Sequence, residues 1–398
     1  MTHGITRLAL AALLAASLAS CGAAGVPDSQ ARQARQPSAG PYTSLEQDFH
    51  DTDIGCDLAV TGSMDLAWAK RYTVDYLEGG YALVCVADGH RYLVVPAGEE
   101  VPAGLADDVC AISAPLSDVY LVASDTMCVF DALGALDKVS VSGLERDDWH
   151  VEGARAAMDA GDIVFGGKYR APDYELLLER GVKVAVESTM INHTPEVADK
   201  LRELEIPVIT ELSSYEPEPL GRLEWVRLWG LLLGRQQEAS ALMDAQQALV
   251  EAASGPALGK TVAFFYLNGQ GSAVVRRPGD YVSRMIELAG GTYAFADLEP
   301  SAVGGTTVTL DTETFYEAVR DADVIVYNGS IDSSVTGVDD LIERQGCLAD
   351  ARAVLEGEVW ACDESMYQQM VHTGDIVSDL HGALTGAEGD LTYLRHLD

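Results

Sequence analysis

The feature that most constrains this chain is a helical run over 219–254, reading PLGRLEWVRLWGLLLGRQQEASALMDAQQALVEAAS and closed by Gly255-Pro256. Pro219 suits a first helical turn, where its missing N–H has no partner to lose, and a Gly-Pro pair suits an end. At roughly 1.5 Å per residue an unbroken helix of this length reaches about 54 Å, the span needed to bridge two lobes. Its second half carries Ala239, Leu242, Met243, Leu249 and Val250 at the spacings of one buried face. Its first half is apolar nearly all round, which implies burial between layers, while Arg222, Glu224 and Arg227 argue against a membrane span. The plainer alternative is an ordinary core helix of one large domain. What flanks the run decides between the two.

A length of 398 residues allows two domains with substantial cores, and 48% hydrophobic with 22% charged residues is globular composition. The 26 Lys plus Arg stand against 62 Asp plus Glu, a net charge of −36 that makes nucleic acid or an anionic lipid surface an unsuitable partner. Bulk charge of this kind does not by itself imply a cationic ligand.

The chain opens with Arg7, an apolar run LALAALLAASL over 8–18, and small residues before Cys21, the form of a secretory signal over 1–20 that is too short to span a membrane as a stable helix. Residues 22–44 are rich in Gly, Ala, Ser, Gln and Pro and read as a flexible tether. Six further cysteines (Cys56, Cys85, Cys110, Cys128, Cys347 and Cys362) include no CxxC pair. Export permits disulfides among them, and their state stays open.

From 45 to about 100 the pattern is β-rich. YALVCV (81–86) and RYLVV (91–95) flank Asp88-Gly89, a strong hairpin signal. After Pro102, short β-branched runs alternate with helical stretches, which is the sequence form of a parallel sheet covered by helices. Strands are expected at 119–122, 138–141, 162–165, 183–186 and 207–210, with helices at 124–133, 151–159, 173–180 and 195–204. Beyond Pro256 the pattern restarts, with strands at 261–266, 307–310, 324–327 and 359–361 and helices at 280–288, 313–320, 338–344 and 373–384. The halves echo each other: Glu152 precedes DIVFGG (162–167) by ten residues, and Glu313 precedes DVIVYNG (323–329) by ten. The expected architecture is therefore α/β: two Rossmann-like lobes with parallel sheets, 101–218 and 255–398, joined by a single long helix, 219–254, with a small β-rich N-terminal extension at 45–100.

Three stretches then carry a resemblance: PEVADKLRELEIPVITELSSYEPEPLGRLEWVRLWGLLLG (195–234), RRPGDYVSRMIELAGGTYAFADL (276–298) and TLDTETFYEAVRDADVIVYNG (309–329). From about residue 100 onward the chain resembles the solute-binding lipoproteins of ABC importers that handle ferric siderophores, cobalamin and haem. Leu18-Ala19-Ser20-Cys21 likewise resembles the bacterial lipobox, which implies lipidation of Cys21 and an extracytoplasmic protein tethered to the cell membrane. The resemblance implies ligand capture between two lobes, small lobe closure about a rigid helix, an ABC permease and ATPase as partners, and docking on the permease through one carboxylate per lobe, here Glu152 and Glu313.

Ligands of doubly wound lobes sit beyond the carboxyl ends of the strands. The turns there place Ser124, Lys168, Tyr169, Met190 and Tyr215 in the first lobe, and Tyr266, Asn268, Arg276, Arg277, Asn328, Tyr367 and Gln368 in the second, as candidate ligand-binding residues. Arg and Lys pair with carboxylates or catecholates through charge-assisted hydrogen bonds, and Tyr adds flat apolar area with a hydroxyl. The set suits a bulky, anionic or amphipathic chelate. His193 is a candidate axial ligand for haem, although a hydrogen-bonded loop His is the plainer role. The eight His are scattered, and neither HExxH nor GxSxG is present. The expectation is a monomeric, non-enzymatic receptor with no nucleic-acid partner and no resident cofactor or protein-held metal. An anchored enzyme or scavenger using the same cleft, or a free-metal receptor, is the alternative. The sequence does not distinguish siderophore, corrinoid and haem.

Overall fold

The computed structural model describes residues 49–300, 306–386 and 391–398. The expected signal and tether, with Cys21, lie outside the described residues. Three sheets organise the described chain.

The first is five-stranded, β1 (Val60–Ser63), β2 (Tyr72–Leu77), β3 (Ala82–Val86), β4 (Arg91–Val95) and β5 (Val109–Ser113), paired in that order. The hairpin at Asp88-Gly89 forms as expected, with β3 antiparallel to β4 and Gly89 at φ 89° supplying the left-handed turn residue. The β-rich region expected to end near 100 instead extends to Ser113, because β5 pairs in parallel with β4 across a crossover. Strand alternation sorts its side chains: Tyr72, Val74, Val84 and Tyr92 face the rest of the molecule, while Leu77, Leu83, Cys85 and Leu93 form a separate outer core.

The second sheet is wholly parallel, ordered β10-β9-β6-β7-β8, with β6 (Val119–Leu121), β7 (Val139–Ser142), β8 (Val164–Phe165), β9 (Val184–Ser188) and β10 (Val208–Glu211). Helices α1 (Met127–Ala132), α2 (Glu152–Ala160), α3 (Tyr174–Glu179) and α4 (Pro195–Glu203) connect the strands. Strand order reverses between β6 and β9, which is the switch point where doubly wound sheets open a crevice.

The run at 219–254 is not one rod. It forms α5 (Pro219–Leu233) and α6 (Gln236–Ala253), with Gly234 left-handed at φ 66° and Arg235 non-helical between them. The amide N–H of Arg235 donates to the Gly230 carbonyl at 2.7 Å, ending α5 in a C-cap turn. Gly230 makes the corner tight: a Cβ there would lie 2.5 Å from that of Ala239. The apolar periodicity continued across the break, but a left-handed Gly ends a helix whatever the pattern on either side. The segment that leads into the second lobe is therefore α6 alone, packed along α11 (Thr373–Thr385).

The third sheet is mixed. A parallel centre of β11 (Thr261–Leu267), β15 (Val324–Tyr327) and β16 (Val359–Cys362), with β13 (Thr292–Tyr293) also parallel to β11, is flanked by antiparallel β12 (Ala273–Arg276), β14 (Thr307–Thr309) and β17 (Leu394–His396). Helices α7 (Tyr281–Leu288), α8 (Thr312–Val319), α9 (Val338–Arg344), α10 (Arg352–Glu356) and α11 complete this lobe. One apolar cluster runs without interruption from the inner face of the first sheet through α5 and α6 into the core of the second lobe. The six cysteines beyond Cys21 are free thiols.

A buried charged seam between the two lobes

Four elements of the first lobe and four of the second meet in a seam rich in charge. From the first come Asp125 after β6, Glu211 at the end of β10, Ser213 in the following turn, and Arg222 one turn into α5. From the second come Arg276 at the end of β12, Asp280 and Tyr281 at the start of α7, Asn328 after β15, and Tyr367 after β16.

Asp280 caps α7, its carboxylate accepting from the Val282 N–H at 3.0 Å, and this fixes the next residue, Tyr281, in the seam. The Arg222 guanidinium carbon stands 4.5 Å from the centroid of the Tyr281 ring, and that of Arg276 stands 5.8 Å from Tyr281 and 5.0 Å from Tyr367. Two cations thus share two aromatic faces, an arrangement worth about 2 kcal/mol per contact when desolvated. Arg222 donates to Asp125 at 3.4 Å and, across the lobe boundary, to the Tyr367 carbonyl at 3.3 Å. Its Nε is buried and has no hydrogen-bond partner. Arg276 pairs with Asp280 at 3.3 Å, and the amide of Asn328 donates to the Tyr367 hydroxyl at 2.8 Å.

Burial opposes the charge of Arg276, yet Asp280 and the two phenols hold its pKa well above the ordinary value, so it is a permanent cation. Burial pushes the Glu211 carboxyl well up, and the neighbouring Asp125 carboxylate adds to this. The Ser213 N–H donates to Glu211 at 2.8 Å, and its hydroxyl donates to Asp125 at 3.1 Å. Burial likewise raises the phenols of Tyr281 and Tyr367, which stay protonated at neutral pH.

The seam is stitched at its rim by Gln368, which accepts from the His150 N–H and donates to the Asp148 carbonyl, both at 2.8 Å, and by Gln369, which donates to the His150 carbonyl at 3.1 Å. Chemically the seam offers two fixed guanidinium groups, flat phenol faces and exchangeable carboxylate partners. An incoming anion would compete with those carboxylates for the guanidinium donors.

The expected site residues divide accordingly. Arg276, Asn328, Tyr367 and Gln368 converge in the seam, and Ser124, half-buried, adjoins Asp125. Lys168 sits 3.6 Å from Asp148 near the rim, while Tyr169 packs against the other face of the first-lobe sheet. Met190 lies in the turn after β9, its N–H bonded to Ser188 at 3.3 Å. The Tyr215 carbonyl accepts from Arg71 at 3.3 Å, facing the N-terminal sheet. Tyr266 is half-buried on β11, and Asn268 shapes its own turn by accepting from Gln270 and Ser272 at 2.9 and 3.0 Å. Arg277 donates to the Glu299 carbonyl at 3.1 Å. Glu152 and Glu313 are exposed in the first turns of α2 and α8. Residue reading passed over Asp125, Glu211, Arg222 and Tyr281. A buried Arg in an otherwise apolar helix and an Asp N-cap before a Tyr were the available signals. Among the described residues no group of three or more His, Cys, Asp or Glu is placed to hold a metal ion.

A further buried acid lies in the first lobe. Glu187 on β9 is wholly buried, and neither carboxyl oxygen has a hydrogen-bond partner. Burial raises its pKa well above the carboxylate range.

No family model matches the chain. It is 25% identical over 317 residues to an uncharacterised lipoprotein of Methanocaldococcus jannaschii, covering 75% of this chain and 73% of that one. A second uncharacterised lipoprotein of the same organism is 22% identical over 340 residues, covering 79% and 82%. Among solved structures, the periplasmic haem-binding protein HutB of Vibrio cholerae matches with a TM-score of 0.55 at 17% identity, over 67% of this chain and 99% of that one. The petrobactin-binding protein YclQ of Bacillus subtilis matches with a TM-score of 0.55 at 13% identity, over 69% and 93%. A periplasmic haem-binding protein of Pseudomonas aeruginosa gives 0.54 at 18% identity, over 71% and 98%. The two-lobed α/β architecture read from the sequence is thus the fold of the periplasmic haem- and siderophore-binding proteins, and this chain carries that fold with about a third of its length outside the match to HutB.

Proposed function

We propose that this protein is the extracytoplasmic receptor of an ABC importer and captures a chelated-iron, corrinoid or haem ligand between its two lobes. The observation that carries the reading is the seam itself, where Arg222 of one lobe and Arg276 of the other stand on the rings of Tyr281 and Tyr367. Such a site grips a large, flat or anionic chelate from both sides. The lipoprotein relatives and the Cys21 motif support lipid anchoring outside the cytoplasmic membrane. No helix of the described residues is long and apolar enough to cross a membrane. Glu152 and Glu313, one exposed carboxylate per lobe, are the proposed contacts to the permease.

The test is a set of tryptophan-quenching titrations with ferric siderophores, cobalamin and haemin. Saturable binding of one of these by the wild-type protein, weakened at least tenfold in Arg222→Ala and Arg276→Ala, is the expected outcome. Binding that ignores both substitutions, or conversion of the ligand to a product, contradicts it.

A further inference from the structure

The loop joining β1 to β2 lies against α5, and its backbone is held in an unusual way. Five successive peptide N–H groups, of residues 67–71, all donate to two carboxylates. Glu224 accepts from Ala67 at 3.0 Å, Trp68 at 2.9 Å and Ala69 at 2.8 Å. Glu216 accepts from Lys70 at 2.8 Å and Arg71 at 2.9 Å, and also from the Trp225 indole at 3.0 Å. Both carboxylates are buried.

Neighbouring contacts fix the same junction. The Tyr72 hydroxyl donates to the Glu224 carbonyl at 2.9 Å, and its ring meets Trp225 edge-on at 4.9 Å. Arg227 donates to the Asp65 carbonyl. Gly221 admits the loop, since a Cβ there would lie 2.9 Å from the Trp68 carbonyl oxygen. At about 100° per residue, Arg222 lies roughly 160° round the helix from Glu224, so α5 has the clamp on one side and the seam on the other.

We propose that Glu216 and Glu224 are positioning residues: they lock the N-terminal sheet onto α5 and so set the rotation of the helix that presents Arg222 to the lobe seam. Buried charged groups are often no more stabilising than well-packed apolar side chains of similar volume. What the five charge-assisted bonds supply is a fixed geometry, because each carboxylate oxygen has a set of donors whose spacing the backbone dictates. The N-terminal sheet is then part of the receptor's working structure. Its role in ligand capture rests on the function proposed above, whereas the clamp's hold on Arg222 does not.

The test uses the full-length protein without ligand. Phenylglyoxal modification of Arg222 is followed by peptide mass spectrometry in the wild type, Glu216→Gln and Glu224→Gln, with exposed Arg146 as internal reference. Arg222 is expected to be protected in the wild type and to react at least tenfold faster in both variants, which retain the folded circular-dichroism spectrum. Leu177→Ala, in a separate core and matched for loss of Tm, is expected to leave Arg222 protected. If either Gln variant fails to fold, Gly221→Ala displaces the loop without touching a charge and should expose Arg222 in the same way. Unchanged protection of Arg222 in a folded Gln or Gly221→Ala variant overturns the proposal, as does equal exposure in Leu177→Ala. Haemin titration adds a second readout: where the wild type binds, Glu224→Gln should weaken binding at least tenfold but cause no further loss in an Arg222→Ala background. A wild type that binds none of the chelates contradicts the receptor reading and leaves the Arg222 modification to decide the clamp.

Discussion

Glu187 shows how one side chain departs from what its neighbours in sequence imply. It sits in the strand Val184–Ser188, where an apolar residue would be expected, with both oxygens buried and partnerless. Its pKa is raised by burial, so the folded protein binds a proton that the unfolded chain releases. The sign follows directly: stability is greatest below the ordinary Glu range and is lost as pH rises toward the elevated folded pKa, at about 1.4 kcal/mol per pH unit. Glu187→Gln, which mimics the protonated form, should therefore raise Tm at pH 8 and converge with the wild type near pH 4. Parallel Tm curves for the two proteins across that range would contradict the assignment. Asn328 and Tyr367 were legible in the sequence because each follows a recognisable strand, whereas Arg276 was picked out as a cation ahead of a helix although the strand it ends was not. Asp125 and Arg222 were not legible, because their importance depends on which residues of the other lobe they face.

At the scale of elements, alternation of apolar runs with amphipathic helices located nine of the α/β strands to within a few residues, including Val324–Tyr327 and Val359–Cys362. The strands passed over, such as Ala273–Arg276 and Leu394–His396, are short and antiparallel, and their pairing is set by partners distant in sequence. The corner between α5 and α6 was missed for a different reason. Apolar spacing continues through LLLGRQQEASALM, and nothing in that spacing reports that Gly234 adopts a left-handed conformation costing other residues about 1–2 kcal/mol. The helix starts at Glu152 and Glu313 were found by their echo. A carboxylate in a first turn also favours the helix dipole, so each has a local role besides docking. Replacing both by Ala is expected to abolish ligand uptake in cells while ligand affinity stays within twofold and Tm falls by only a few degrees. Undiminished uptake by the double variant would remove them from the permease contact.

For the whole molecule, the two-lobed reading stands on separate sheets facing each other across the seam, and it survives the loss of the single rod. Bonds such as Arg222 to the Tyr367 carbonyl and Gln368 to residues 148 and 150 cross the boundary between the lobes. The N-terminal sheet, for which sequence offered no role, is packed into the first lobe through α5 and through the Tyr92 hydroxyl, which donates to the Val208 carbonyl at 2.7 Å. That integration was illegible because it depends on Glu216 and Glu224 meeting the peptide N–H groups of residues 67–71, some 145 positions or more away in the chain. The central claim is that the ligand is held between the lobes at the Arg–Tyr seam. Hydrogen–deuterium exchange of the full-length protein, with and without the chelate that binds in titration, tests it most directly. Protection should appear at residues 211–225, 276–283 and 366–370 from both lobes together. Protection confined to one lobe, or to the N-terminal sheet alone, would contradict it.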